Sequence, residues 1–567
     1  MPPILDELQK QAGAGERRPG AAGSAPRPLA PRAILRTLVM KEVHDLILTL
    51  RFSVGSVLAL GLAVMAAYVG SLDYNARLDS YQTKLKLNRD ALGRTAVYSF
   101  LQPTIVRPPE PLSILHHGLE GRLGTDFGIS VDEESTEATG ENRGNEYLSI
   151  FSAVDLTVII AVILGLLALL FTFDAVCGER EAGMLKLMMS YPLSRGQLLL
   201  SKYLGAWITL MLPTAVACLL SLMVMGIAAQ VHWGARELVR IALIFLSYAL
   251  YLSLMLLVGL VLSGFVQRAS LALVSATFVW FFLVAIVPNL ATMVPDFVGA
   301  REQIYQSTME NLGQVDRDAQ AAEDALKDPR DKFTFHYAIN NNDGGGTAFE
   351  CHFGDAKYYD QMRDFYTQFI PLSMKFARRR AELWRQYYRY RDRQAIVSRV
   401  LSFLSPTAVF ENTLGFASGT SQADYAHFIS LASQYRNTFL EYLNRKNAFH
   451  SWRWFTPDPD DGDQPWPILA VGKTPDEMEA AGKDPQEVIN QWMYDHTAWR
   501  KFLAWENDRD QKPARLLALG DLPAFVYRPL GTGRVLVEAG PEIGYLLALN
   551  AILFLVAFVR FVHYDVR

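Results

Sequence analysis

The chain has 567 residues, 50 % of them hydrophobic and 20 % charged, with a mean hydropathy of +0.11. That pairing excludes a single soluble domain and equally a bare helix bundle in lipid, so very apolar segments must sit beside a large polar part. A net charge of −4 gives no argument for nucleic-acid binding, and three cysteines cannot make a disulfide framework. Abundant aromatics exclude global disorder.

Residues 1–31, rich in Gly, Ala, Pro and Arg, read as a flexible tail, with no secretory signal pattern before the first apolar run. Over 32–51, Leu35, Val39, Val43, Leu46 and Leu50 form an apolar stripe opposite Lys41, Glu42 and Asp45. That pattern predicts an amphipathic helix lying in the membrane interface. Six runs then approach the roughly 20 apolar residues that a spanning helix needs: 52–72, 154–174, 198–229, 238–263, 269–293 and 542–562. The third carries Lys202 near its start, the fourth Arg240, and the fifth Pro288, where a kink or helix end is expected. Asn550, in the last, is expected to hydrogen-bond between helices.

Basic residues set the orientation. Arg32, Arg36, Lys41, Arg51, Arg180, Lys186, Arg195, Lys202, Arg268, Arg560 and Arg567 all fall on one side, whereas the opposite short link offers only Arg236, offset by Glu237. Both termini are therefore predicted cytoplasmic, in a multi-pass protein of the cytoplasmic (inner) membrane. Segments 73–153 and 296–541 lie outside, and the fold class is an all-α polytopic membrane protein with six transmembrane helices. Its large, mainly helical extracytoplasmic domain falls between spans five and six. Cys177 is then cytoplasmic, Cys218 lies within a span, and Cys351 is alone outside.

The first outside segment begins as a helix and becomes proline-rich; His116 and His117 lack further ligands at metal-binding spacing. In the second, helical periodicity covers 301–328, 357–402 and 422–446, and 340–346 (NNNDGGG) marks a turn. The acidic run 457–466 lacks the register and terminal Glu of an EF-hand, so it reads as a solvated loop. Nine Lys or Arg crowd 375–399, among them Arg378, Arg379, Arg380, Arg385 and Arg389, against only Glu382 and Asp392. Such a face either binds an anionic partner, a polymer or phospholipid head groups, or is a solvated helix paired with acidic loops of its own domain.

Nucleotide chemistry fails on spacing. Gly472-Lys473-Thr474 has Pro467 where a phosphate loop needs glycine, and LSRGQ at 193–197 imitates an ATPase signature without such a loop. Without HExxH, CxxC or GxSxG, an enzyme with its active site outside lacks its chemistry. Ionisable groups at mid-membrane are nearly absent, which argues against a proton-coupled transporter or an intramembrane protease.

The most informative stretch is 175–197. Glu179, Arg180 and Glu181 cluster at the membrane face; Met184, Leu185, Leu187, Met188 and Met189 supply an apolar surface suited to an adaptable interface. Pro192 stops that short helix, Ser194 and Gln197 form a capping box, and Lys202 is expected to snorkel toward the head groups. The series E-R-E-x-G-x-L-x-L-x-x-x-x-P-L-S-R from Glu179 to Arg195, followed by Lys202, resembles the cytoplasmic loop of ABC type-2 permeases. The interfacial helix with its Lys41-Glu42 pair resembles that family too, and the two large outside segments point to a subfamily carrying insertions there. RPPEPLSILHHG and LSFLSPTAVFENTLGFASG resemble members of that subfamily, relatives beside gliding-motility and copper-maturation permeases.

The resemblance implies a permease paired with a second copy or a homologous permease, bound to separate ATP-binding subunits that hold ATP and Mg. This chain itself would bind no cofactor. Glu179, Arg180, Glu181, Gly183, Leu185, Pro192, Ser194, Arg195 and Lys202 would couple the ATPase to the spans. Export is the leading expectation; mechanical action on an extracytoplasmic protein partner, without transport, is the alternative.

Overall fold

The structure, a computed structural model, describes residues 31–140, 155–189, 194–231, 233–289, 301–326, 334–340, 346–352, 356–455, 478, 480–484, 487 and 516–563. Among these, helices dominate, and sheet is confined to two antiparallel ribbons. One ribbon pairs β1 (Thr104–Val106) with β2 (Asp126–Gly128). The other pairs β3 (Thr334–Asn340) with β4 (Gly346–His352) around residues 341–345, which lie outside the described residues together with the acidic run 457–466 and the Gly-Lys-Thr triplet. Cys351 sits in β4 opposite Phe335, while Cys177 and Cys218 are buried free thiols.

Among the described residues, six helices are long and apolar enough to cross a membrane. The interfacial helix α1 (Pro31–Ile47) stops short of the expected boundary because Thr49 turns outward and caps the next helix, accepting from Phe52 N. That helix, α2 (Leu50–Gly93), does not end with the apolar run; it continues as one rod of 44 residues, about 66 Å long. Nothing between Asp73 and Asp90 breaks a helix, so the first span and the start of the first outside segment are one element.

α3 (Leu156–Glu181) contains a π turn over Ile159–Leu164. The short α4 (Met184–Met189) precedes α5 (Arg195–Ala228) and α6 (Ala235–Phe265). In α7 (Ala269–Asn289), a π turn at Phe282–Ile286 immediately precedes Pro288. Proline removes one backbone donor and crowds the preceding turn, and the wider π turn accommodates it. The last spanning helix, α12 (Thr532–Val562), packs along α6. There Asn550 donates to Leu250 O and Leu546 O at 3.1 and 2.8 Å and accepts from Ser253 Oγ at 2.6 Å. Ser253 in turn meets Tyr203 OH at 2.7 Å, joining α12, α6 and α5.

Beyond the spans stand α8 (Arg301–Asp324), α9 (Ala356–Ser402), α10 (Pro406–Ser418) and α11 (Gln422–Arg445). Of these, α10 does not stand clear of the spans. α10 packs against α6, α7 and α12. Phe410 stacks on Tyr251 with centroids 4.4 Å apart and meets Tyr248 at 5.9 Å, all three fully buried. Tyr251 OH lies 3.3 Å from Thr407 Oγ1, and Ser405 Oγ donates to Leu283 O at 2.8 Å.

Tyr251 is roughly 21 Å along α6 from the Phe265 end, so the start of α10 reaches about half-way down the spans. The end of α9 descends with it: Ile396, Val397, Val400 and Leu404 are exposed apolar side chains. Arg399 is held by Glu542 of α12, Nε to Oε1 at 2.7 Å. Residues 396–418 are thus a hairpin packed against the spans and too short to cross a membrane.

At the opposite end of α6 from the coupling loop, charges are buried together. Arg77 pairs with Asp73 at 2.9 Å and lies 3.5 Å from Glu120, which also holds Arg107. Arg240 donates to Leu530 O at 3.0 Å. Glu110 lies beside it, in the field of Arg240, Arg236, Glu120 and Asp424. Burial outweighs the arginines and lifts the Glu110 carboxyl from 4.5 to about 7.

Phe410→Ala should cost about 3–5 kcal/mol, read as a lowered thermal-unfolding midpoint of the protein in nanodiscs. Because the folded state favours protonated Glu110, stability should fall as pH rises from about 4.5 through about 7, by on the order of 3 kcal/mol in full. Unfolding midpoints of wild type and Glu110→Gln across pH 5–8 check this; the variant should lack that part of the decline.

Candidate functional site

The apolar run of α3 ends at Phe173, and the backbone loosens into a turn before Cys177–Glu181 completes the helix. Amides freed by the turn are satisfied from α6: Val176 N and Cys177 N donate to Ser263 Oγ at 2.9 and 3.2 Å. Gly183 follows at φ +70°, a left-handed conformation that favours glycine, and redirects the chain into α4.

α4 lies across the helix ends. Leu185 is fully buried against Val176, Leu198, Leu260 and Phe561. Leu185, expected in the coupling surface, is instead the anchor that seats it. The outward apolar side chains are Met184 and Leu187, 48 % and 64 % exposed, flanked by exposed Glu181 and Lys186. Pro192 lies outside the described residues. Ser194 caps α5, its Oγ accepting from Gln197 N at 3.2 Å, and Arg195 donates to Val562 O at the C-terminal end of α12 at 2.5 Å. A cation there complements the carbonyl end of the helix.

Lys202 does not snorkel. Its side chain is 3 % exposed, and the ammonium sits 2.5 Å from Glu179 Oε1 and 3.4 Å from Glu42 Oε1. Two carboxylates offer more to a buried cation than distant head groups do. The lysine therefore joins α1, the end of α3 and α5 at one point. The close crossing of α1 and α5 requires Gly205, where a Cβ would stand 2.6 Å from Glu42 Cβ. Lys41, 44 % exposed, leans on Glu42 and Asp45 at 3.7 and 3.6 Å. Arg180 is half-buried beside this cluster.

Arg51 escaped the sequence reading as a site residue. Its Nη1 donates to Leu170 O and Asp174 Oδ2 at 3.0 and 3.1 Å, and its guanidinium lies 4.9 Å over the Phe173 ring. An arginine at the foot of one span and an aspartate at the foot of the next were the available signal.

Of the five arginines singled out on α9, Arg380 pairs with Asp316 at 3.0 Å and Arg385 with Glu134. Both are spent within the fold. Arg378 and Arg379 remain on an open face, and Arg389 is exposed further along the helix.

The sequence profile of the ABC-2 family transporter proteins matches residues 36–566. The chain belongs to that family and is a multi-pass membrane protein. It is similar to the probable ABC transporter permease protein NosY of Pseudomonas aeruginosa, 34 % identical over 140 residues, covering 24 % of this chain and 48 % of that one. The protein of the same name from Stutzerimonas stutzeri is 34 % identical over 128 residues, covering 21 % and 44 %. The chain thus spans less than half the length of these curated relatives.

Lys202→Met should strand two carboxylates in a buried setting and cost about 3–5 kcal/mol. Denaturation of the variant should show that loss, with a smaller one for Glu179→Gln, which leaves Glu42 to hold the lysine.

Proposed function

We propose that this chain is the permease subunit of an ATP-driven exporter in the cytoplasmic membrane, working beside a second permease copy or a homologous permease. ATP and Mg belong to a separate ATP-binding subunit that seats against α4 from the cytoplasmic side. The observation that carries the reading is the construction of α4. One face is locked into the spans by Leu185, and the other presents Met184 and Leu187 between Glu181 and Lys186.

A rigidly seated helix with an exposed apolar face is suited to receive a moving partner, and methionine adapts such a face to it. Both termini are assigned to the cytoplasm because the basic ends of α1, α4, α5 and α12 lie with that face. Glu179, by contrast, holds the joint together from inside, and Arg195 ties the loop to α12.

The test separates the two faces. Met184→Glu with Leu187→Glu should cut recovery of the ATP-binding subunit with this chain at least tenfold and lower transport-coupled ATPase activity, while membrane insertion and thermal unfolding stay unchanged. Full recovery and coupling in that variant would overturn the docking assignment. ATPase activity that remains with this chain after every other subunit is removed would overturn the permease–ATPase division.

A further inference from the structure

α9 and the region after α11 enclose a groove of about 580 Å³, within the size range of small-molecule sites. Lys375, Arg378 and Arg379 line one wall, at the i, i+3, i+4 spacing that puts them on one helix face. Ile370, Met374 and Phe449 supply apolar lining, and His450 closes the far side. The neighbouring arginines are consumed by the fold, Arg380 on Asp316 and Arg385 on Glu134. Among the described residues, no ion pair or hydrogen bond engages Lys375, Arg378 or Arg379; the Lys375 ammonium rests near the Phe376 ring, at 5.9 Å. Glu382 is the sole carboxylate among the described residues that line the groove.

We propose that this groove binds a phosphomonoester carried on an apolar body. Three cations against one carboxylate leave two positive charges, which a phosphomonoester at neutral pH matches with roughly −1.5 to −2. Arginine forks suit phosphate oxygens, and the apolar lining suits a short hydrocarbon or ring attached to them. The groove stands well away from the apolar end of α9. Arg379 stands 17 residues before Ile396, where the exposed apolar end of α9 begins, a separation of roughly 26 Å along the helix. The ligand therefore arrives either free in the outside compartment or as a lipid lifted out of the membrane. This assignment rests on the groove alone and stands or falls separately from the export reading.

The probe is hexyl phosphate, titrated against the full chain in phosphatidylcholine nanodiscs with empty nanodiscs subtracted. Saturable binding is expected, weakened at least tenfold in the Arg378→Gln/Arg379→Gln variant and by raising salt from about 50 to 500 mM, which shortens the reach of exposed charges. Both side chains are exposed and unpaired, so the variant should melt with the wild type. Arg380→Gln/Arg385→Gln should melt earlier and still bind within about twofold. Hexanol should not bind, and inorganic phosphate should bind at least tenfold more weakly. Absence of saturable hexyl phosphate binding, unchanged binding in Arg378→Gln/Arg379→Gln, or equal binding of inorganic phosphate would each overturn the proposal. Nanodiscs containing phosphatidic acid distinguish the source: displacement of hexyl phosphate supports a site fed from the bilayer, and undiminished binding supports one fed from solution.

Discussion

The ammonium of Lys202 is the constraint on which the joint of α1, α3 and α5 depends. A cation with 3 % of its side chain exposed is stable only if carboxylates surround it, and Glu179 and Glu42 reach it from two different segments. The end of α3, the interfacial helix and α5 are consequently fixed to one another. Gly205 and Leu185 are consequences of the same geometry: the first lets α1 come close enough, and the second presses α4 down onto the joint. Such a knot contributes little net stability, since desolvation offsets most of the Coulomb attraction. What it contributes is a single arrangement of three elements.

A second constraint acts at the other end of the spans. α10 brings Ser405, Thr407 and Phe410 to the middle of the bundle, where the hydroxyls find Leu283 O and Tyr251 OH. Backbone and side-chain polar groups beside lipid must be satisfied by protein, and these partners do so. Arg399 is the corresponding price at the entrance: its guanidinium is held by the fully buried Glu542 and lies 4.9 Å over Phe416. The hairpin is thus built into the membrane part, although it belongs by sequence to the segment between the last two spans.

Much of this was legible in the residues. Apolar runs of sufficient length located the spans, and the period of 3.6 located α8, α9 and α11, because those signals are local. The Lys41-Glu42 pair, Glu179 and Lys202 were each recognisable, but their meeting was not, since no pattern within α1, α3 or α5 encodes a contact across 160 positions of chain. α10 was hidden for another reason. Its 13 residues are short of a span, and Glu411 and Asn412 interrupt the apolar pattern, so it reads as loop. The arginines of α9 show the same limit: sequence gives the charge of the face, and only packing divides Arg380 and Arg385, which pair with Asp316 and Glu134, from Arg378 and Arg379, which pair with none of the described residues.

α6 connects the two ends. At one end Ser263 accepts the loosened amides of Val176 and Cys177, and Leu260 packs on Leu185. Part-way along, Tyr251 and Tyr248 clamp Phe410 of the hairpin. Near the start of the helix Arg240 donates to Leu530 O, just ahead of α12, and stands in the buried charge cluster with Glu110. A continuous helix of 31 residues, packed at each of these points, moves as a body because close-packed interfaces transmit displacement rather than absorb it. From α4 the packing runs through Leu185 to α6, and through the stacked aromatics to the hairpin at the foot of α9. The contacts that tie α6 to both ends run through Ser263, Tyr251 and Arg240, none of which belongs to the exposed face of α4.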